Sequence, residues 1–457
     1  MRLWDANSGA DLCPRPGHQY SVRKAALSPD GKTALTSSWD RTLRWWDAVT
    51  GHELRKIDLP ETAEGLAISS DGKTVVASIK GVGLRVWNLA NGQETTPVEL
   101  PSGIKGGRLL FTPNGRQLIV ALGAQVFVLN WPGLKVDRLI ELPKPVNQPG
   151  ETDCQFVTVS SDSRWLITVA YRSIFSNPEG HRYQSVADGV ADLWDLATGK
   201  RVRRLVEEKN TISTASFTPD DRVLLTDVLD NTIPGEPGRN PKQFSGVIAL
   251  LDPFAPRWLR SFAPIQPRSE SIIRMSATAE LAPDGRTLYV AYNTGEIRCF
   301  EVATGQLRRT LKGHRGHVYC LSFTPDGRRL ISGGRDGSAV IWDVTVAAVA
   351  KSEKESPDDA EIERLWAKVS AEDAPAAYGA LGKLAAWPDQ SVEMLRQRFK
   401  QNLEDPTPAR LSQIRAIELL EGIATPAARS LLADLAKGAA KAPLTVDAAS
   451  SLARLKR

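Results

Sequence analysis

The chain has 457 residues, 42% hydrophobic and 24% charged, an ordinary composition for a globular protein of two or three domains, or one large repeat domain with an appendage. Its net charge of +5 lies wholly before position 351, since positions 351–457 hold 16 basic and 16 acidic residues, and it is too diffuse for the basic stripe of a nucleic-acid binder. No apolar run of about eighteen residues offers a membrane span, and Met1 leads into Arg2-Leu3-Trp4-Asp5 rather than a signal peptide, so a cytoplasmic protein with no membrane partner is expected.

In chain order, the first elements form a repeating unit. Gly31 is followed fifteen residues later by Trp46, Gly72 by Trp87, Gly285 by Phe300 and Gly327 by Trp342. Each glycine closes an Asp-Gly turn, and Asp47, Asn88, Glu301 and Asp343 follow the aromatics. Asp-Gly between β-rich runs marks a hairpin, so each unit holds two short strands after that turn, joined by a second turn. Weaker copies keep the phase. Gly115 leads to Trp131, Ser163 to Trp194 and Asp221 to Leu251, which makes seven units. A fixed spacing of this kind is read first as a repeat array. Links such as Ala48-Val49-Thr50-Gly51 and Val302-Ala303-Thr304-Gly305 recur after the aromatics, with a glycine suited to positive φ.

Beyond the last unit, 350–358 is a polar linker containing Pro357, and the alternation typical of strands ends. Ile362, Leu365, Trp366 and Val369 fall on one face of a helix. Val392, Leu395 and Phe399 mark another, and Leu411, Ile414, Ile417, Leu420 and Ile423 a longer one. Thr425-Pro426 sets a cap and a first-turn proline before Leu431, Leu432 and Leu435, and a last helix begins near Thr445. The four cysteines (Cys13, Cys154, Cys299, Cys320) form no C-x-x-C pair, which speaks against a zinc ribbon and a disulfide framework.

The best copy runs from Leu311-Lys312-Gly313-His314 through Phe323-Thr324-Pro325-Asp326-Gly327 to Val340-Ile341-Trp342-Asp343. It resembles a WD40 repeat, one blade of a β-propeller. The resemblance implies an all-β seven-bladed propeller over 1–349, then the linker, then a small all-α domain over 359–457. That tail resembles the HEAT-like helical extension of a group of bacterial WD-repeat proteins. In such a ring the segment Gly9–Cys13 is expected to complete the last blade by pairing with Ala339–Asp343. Arg2–Asp5 is in phase for a slot already filled, so either it packs beside the seam or the natural protein begins upstream.

The resemblance also implies a structural tetrad in two units: His18, Thr36, Asp40 and Trp46 in the first, His314, Ser332, Asp336 and Trp342 in the last. The fourth and fifth units carry insertions between their second and third strands, on the face the family calls the top. A turn lengthened from about 4 to about 20 residues costs roughly 1.4 kcal/mol of closure entropy. These inserts bring Arg172, Phe175, His181, Arg182 and Tyr183 on one blade and Arg239, Lys242 and Phe244 on the next. Aromatic and Arg residues together are enriched at interface hot spots, and these eight are the candidate partner-binding residues.

No H-E-x-x-H, Walker A, G-x-S-x-G or EF-hand pattern occurs. No catalytic residue, metal or cofactor is assigned. The leading reading is a non-enzymatic scaffold whose top face docks proteins or peptides. The alternative is the sensor or regulatory portion of a longer signalling protein, a kinase or ATPase fusion.

Overall fold

One turn builds every unit. Ser28 Oγ donates to Asp30 Oδ1 (2.6 Å), the Lys32 N–H donates to the same oxygen (3.0 Å), and Gly31 supplies the φ of +67° that turns the chain back. Asp71 and Asp326 accept the same bonds from Ser69 and Thr324. In the weaker copies Ser163 and Asp221 hold that glycine slot at φ 62° and 61°, a left-handed conformation costing a side chain roughly 1–2 kcal/mol. The repeat geometry therefore survives where its sequence mark has faded.

The computed structural model describes residues 17–95, 106–143, 151–176, 183–210, 212, 214–219, 221–228, 247–255, 257–262, 275–346, 357–401, 410–439 and 442–456. Blade 1 holds β1 (Val22–Leu27), β2 (Thr33–Ser38), β3 (Thr42–Asp47) and β4 (Glu53–Asp58). Blade 2 holds β5 (Ala63–Ile68), β6 (Thr74–Ile79) and β7 (Gly83–Asn88). Blade 3 holds β8 (Arg108–Phe111), β9 (Gln117–Leu122), β10 (Gln125–Asn130) and β11 (Lys135–Glu141). Blade 4 holds β12 (Glu151–Val159), β13 (Trp165–Ser176), β14 (Tyr183–Asp195) and β15 (Lys200–Asn210). Blade 5 holds β16 (Thr214–Phe217), β17 (Val223–Val228), β18 (Val247–Asp252) and β19 (Arg257–Phe262). Blade 6 holds β20 (Met275–Leu281), β21 (Thr287–Tyr292), β22 (Glu296–Glu301) and β23 (Leu307–Lys312). Blade 7 holds β24 (Val318–Phe323), β25 (Arg329–Gly334) and β26 (Ala339–Asp343).

Each blade is an antiparallel meander, and the chain forms a seven-bladed β-propeller. The first strands β1, β5, β8, β12, β16, β20 and β24 stand side by side, and β1 meets β24 to close the ring. Closure leaves no inner sheet edge open to another chain. Apolar faces of neighbouring blades make the core. Leu35, Leu43 and Trp45 of blade 1, for example, pack with Val75, Ala77 and Trp87 of blade 2. Among the described residues blade 7 has three strands. The strand expected at Gly9–Cys13 lies outside the described residues, as does Arg2–Asp5.

The insert of blade 4 lengthens a hairpin. β13 and β14 run on past the ring, pairing as far as Ser176 and Tyr183, with one register shift between Tyr171 and Arg172. Extending the hairpin lets most of the inserted backbone hydrogen-bond across the ladder instead of standing unpaired. Most of the blade 5 insert, 229–246, lies outside the described residues.

Six helices follow: α1 (Asp359–Ser370), α2 (Ala374–Ala385), α3 (Pro388–Gln401), α4 (Arg410–Ile423), α5 (Pro426–Leu435) and α6 (Pro443–Leu455). Asp358, Asp373 and Thr425 cap α1, α2 and α5 by accepting from backbone N–H groups of the first turn. Leu381, Leu384, Leu395, Ile417, Leu420 and Leu432 form their core. Val346, three residues beyond β26, is buried in that same core, so the chain leaving blade 7 enters the helical cluster directly.

Candidate partner-docking surface

The proposed tetrad residues come together as two hydrogen-bonded networks. His18 Nδ1 lies 2.8 Å from Asp40 Oδ2 and its Nε2 lies 2.7 Å from Thr36 Oγ1, which also accepts from Trp46 Nε1 at 2.7 Å. In blade 7 the matching distances are 3.3 Å from His314 to Asp336, 2.7 Å from His314 to Ser332, and 2.8 Å from Trp342 to Ser332. Burial opposes ionisation of Asp40 and Asp336, but hydrogen bonds from the histidines and neighbouring donors prevail and hold both carboxyls well below the usual range. A hydroxyl, an imidazole and a carboxylate in line resemble a nucleophile relay. Here, however, Thr36 and Ser332 are fully buried and committed to an indole, so no substrate reaches the hydroxyl. The networks tie the link entering each blade to the turn between its second and third strands.

That turn and that link define the top of the ring, and beside the blade 1–blade 7 seam the top carries an aromatic and cationic cluster. Arg23 enters β1, Tyr319 enters β24, and Trp39 sits in the turn between β2 and β3. The Arg23 guanidinium lies 4.1 Å from the Tyr319 ring centre and 4.8 Å from that of Trp39. His317 stacks on Tyr319 with centroids 4.5 Å apart and planes 16° from parallel. Burial, with Arg23 and Arg335 nearby, pushes the His317 pKa down. Trp39 and Tyr20 are 53% and 63% exposed. Large rings held in place by a cation and left open to water are a costly surface for a protein to keep unless something covers them.

Lys24, Glu64 and Arg108 stand on the first strands of blades 1, 2 and 3, and Arg108 and Glu64 lie close enough to act on the Lys24 ammonium. Glu64 accepts from the Gly107 N–H (3.0 Å) and Arg108 donates to Gln155 (3.2 Å). Of the eight candidate binding residues, Arg172 and Phe175 stand on β13 and Tyr183 on β14 in the hairpin extension. His181, Arg182, Arg239, Lys242 and Phe244 lie outside the described residues.

The opposite face is occupied by the helices. Arg286, in the turn before β21, donates to Glu421 (2.8 Å) and to Ser451 (2.9 Å). Arg308 of β23 bridges Glu301 (2.6 Å) and Glu418 (2.7 and 2.9 Å). Arg415 of α4 grips Glu301 through two bonds. Beside this junction a cleft of about 1030 Å³ opens between α4, α6 and blades 5 and 6. Two cations on its wall are satisfied within the protein, Arg286 by Glu421 and Arg410 by Asp447. The top cluster, by contrast, presents rings to solvent.

Sequence reasoning missed both the top cluster and the ionic junction. Trp39 is one more hydrophobic residue beside Asp40, and Tyr319 sits in an apolar run. Comparing one slot across the units shows the clue, because Arg23, Glu64 and Tyr319 share a register where a uniform core position would repeat one residue class.

Comparison with known proteins gives the lineage of the ring. The family model for the WD domain, G-beta repeat, matches residues 12–47 and 305–343, the first and last of the clear units, and the chain carries WD40 repeats. Serine-threonine kinase receptor-associated protein of Gallus gallus is 22% identical over 331 residues, 72% of this chain and 69% of that protein. The Homo sapiens protein of the same name is 23% identical over the same shares. Intraflagellar transport protein 122 homolog of Danio rerio is 38% identical over 69 residues, 15% of this chain and 6% of that protein. Among the described residues no helix is long and apolar enough to cross a membrane and no group of three metal-ligating side chains occurs.

Proposed function

We propose that this WD40 propeller is a non-enzymatic interaction scaffold that docks a protein or peptide on its top face, with the helices bracing the opposite face. The observation that carries the reading is the Arg23–Trp39–Tyr319 cluster, a cation clamped between two rings with Trp39 half exposed. Interfaces draw most of their energy from a few Trp, Tyr and Arg anchors. A pre-stacked cluster also loses little side-chain freedom on binding. The name of the chicken and human relatives speaks of association with a receptor, a binding role in keeping with this one. The tetrads are structural in this proposal, and the inserts of blades 4 and 5, expected on the same face, are offered as a second patch.

The test is a pull-down with the full chain from lysate of the source cells, read by mass spectrometry and repeated with Trp39→Ala and Arg23→Ala. Proteins retained by the parent chain and lost from both variants support top-face docking. A set that is unchanged in both variants rejects it.

A further inference from the structure

Resting on that reading of the top face, the geometry points to an acidic peptide as its partner: a side-chain carboxylate entering the channel mouth to meet Lys24, while the flanking residues lie on Trp39 and Tyr20. Lys24 follows Arg23 on β1, the first strand of blade 1, and the charged groups that act on it include Glu64 and Arg108 on the first strands of blades 2 and 3. It makes no hydrogen bond or ion pair with any described residue. Around it the charge is lopsided. Arg108 and Arg23 act on it as like charges, with Glu64 the nearby acid, and that acid already accepts the Gly107 N–H. Cys320 also faces Lys24, but burial raises its thiol to about 11, so it stays neutral near pH 7. Burial first, then Arg108 and Arg23, push the Lys24 ammonium down to about 8. His317 on the rim is pushed down by burial and by Arg23 and Arg335. In both groups burial is the larger cause and the neighbouring arginines add to it.

A partly buried ammonium that no described carboxylate pairs with directly is an unfavourable arrangement that an incoming carboxylate relieves, and a charge-assisted bond in such a site is stronger than one at the open surface. Arg23 is held between two rings, where it anchors the aromatic seat. A nucleic acid fits less well. The cations are grouped at one place instead of forming a stripe along which a phosphate backbone could run, and Glu61 pairs with Arg41 (3.7 Å) two residues beyond Trp39. Tyr20 and Trp39 beside the mouth give the residues next to the acid an apolar seat.

Panning a random peptide library on phage against the immobilised full chain tests the idea, with synthetic copies of the enriched peptides measured by fluorescence anisotropy. The expected peptides share an Asp or Glu at one position, and their binding weakens as salt is raised. They should lose about tenfold or more in affinity on Lys24→Met, the scale of one hydrogen bond to a charged group, and keep most of it on Lys24→Arg. The salt titration on the unaltered chain stands even if Lys24→Met folds poorly. Failure to enrich any peptide, or enrichment without a common acid, overturns the proposal. Acidic peptides that bind Lys24→Met as tightly as the parent overturn it too. If peptides of that kind still depend on Trp39, the docking face stands and only the acidic partner falls. Peptides indifferent to Trp39, Arg23 and Lys24 alike remove both. Competition by single-stranded oligothymidylate that depends on Lys24 would assign the mouth to nucleic acid instead.

Discussion

Arg415 closes on Glu301 with two parallel bonds, Nε to Oε1 at 2.9 Å and Nη2 to Oε2 at 2.7 Å, and both side chains are almost wholly buried. Glu301 occupies the slot after the aromatic that holds Asp47 in blade 1 and Asp343 in blade 7. Asp47 uses its carboxylate locally, accepting the N–H groups of Val49 and Thr50. Glu301 still serves its turn, accepting from the Thr304 hydroxyl (2.6 Å), but its extra methylene also reaches Arg308 and α4. One carbon converts a turn-capping residue into the anchor for the helices.

Removing one partner of a buried ion pair strands the other, which typically costs about 3–5 kcal/mol, whereas the intact pair adds little net stability. Arg415→Met should therefore lower stability by about that amount, moderated because Arg308 still faces Glu301. Glu301→Asp should keep its turn yet loosen the helices. Hydrogen exchange read peptide by peptide checks this, with faster exchange expected in α4 and α1 while blades 1 to 4 stay protected. Uniform change throughout the ring would rule out a local anchor.

Acid should weaken the same junction first. Burial opposes ionisation of Glu301 and Glu421, but Arg415 and Arg308 hold the first at about 2, and Arg454 and Arg286 the second at about 2. An unfolded glutamate titrates near about 4.3. The folded value lies below the unfolded one, so the stabilisation is complete above about 4.3 and is lost as pH falls toward about 2. Thermal midpoints taken from pH 6 down to pH 3 should fall more steeply for the parent than for Glu301→Gln. Parallel curves would count against this assignment.

Dividing the chain at 350–358 has a consequence that limited proteolysis can check. A polar linker is a preferred cleavage site, yet Val346 lies in the helical core and three arginine-centred junctions cross to the ring. Cleavage within 350–358 should give two fragments that co-elute at neutral pH and separate only under denaturing conditions. Free helical fragment at neutral pH would mean that the junction is weaker than its geometry implies.

The tetrads allow a sharper comparison. Asp336→Ala and Asp40→Ala each take the carboxylate from a buried imidazole, leaving only the hydroxyl of Ser338 (3.1 Å) or Thr42 (3.0 Å) beside Nδ1, and should cost about 1–3 kcal/mol. Asp58→Ala, at an exposed pair with Lys56, should stay within about 0.5 kcal/mol. Urea midpoints of the three variants provide the measurement, and equal losses at all three positions would rule out a structural role for the networks.

The ring was legible in the sequence because each unit repeats its own local chemistry. Asp30 with Gly31, and Asp326 with Gly327, specify a turn without reference to anything distant. The helices at Ile362, Ile417 and Leu431 announced themselves by apolar period and by the Thr425-Pro426 start. Helix α2 did not, since its Ala- and Gly-rich run Ala374–Ala385 offers little contrast between faces. The ionic junction was hidden for another reason. Glu301 and Arg415 are 114 residues apart, and nothing local distinguishes a glutamate that caps a turn from one that also grips a helix. Trp39 carries no local mark, because only the assembled ring shows which end of a strand meets water.

The inserts supply the last prediction. In blade 4 the pairing of Tyr171 with Gly189 precedes the register shift, and everything from Arg172 to Ala187 belongs to the extension. Replacing 172–188 by an Asn-Gly turn therefore shortens a hairpin above the ring without touching the Trp194–Thr168 bond that stabilises the blade (2.9 Å). A similar replacement of 232–245 shortens the blade 5 insert. The ring should fold as before, with a thermal midpoint within a few degrees of the parent, because the core of these blades at Ile167, Leu193, Leu225 and Ala249 is untouched. If Arg172, Phe175, His181, Arg182, Tyr183, Arg239, Lys242 and Phe244 bind partners, the double replacement should lose captured proteins that Trp39→Ala retains, since the two patches lie on different blades. A double replacement that captures the same set as the parent, while Trp39→Ala does not, would leave the seam cluster as the docking surface and reduce the inserts to ornament.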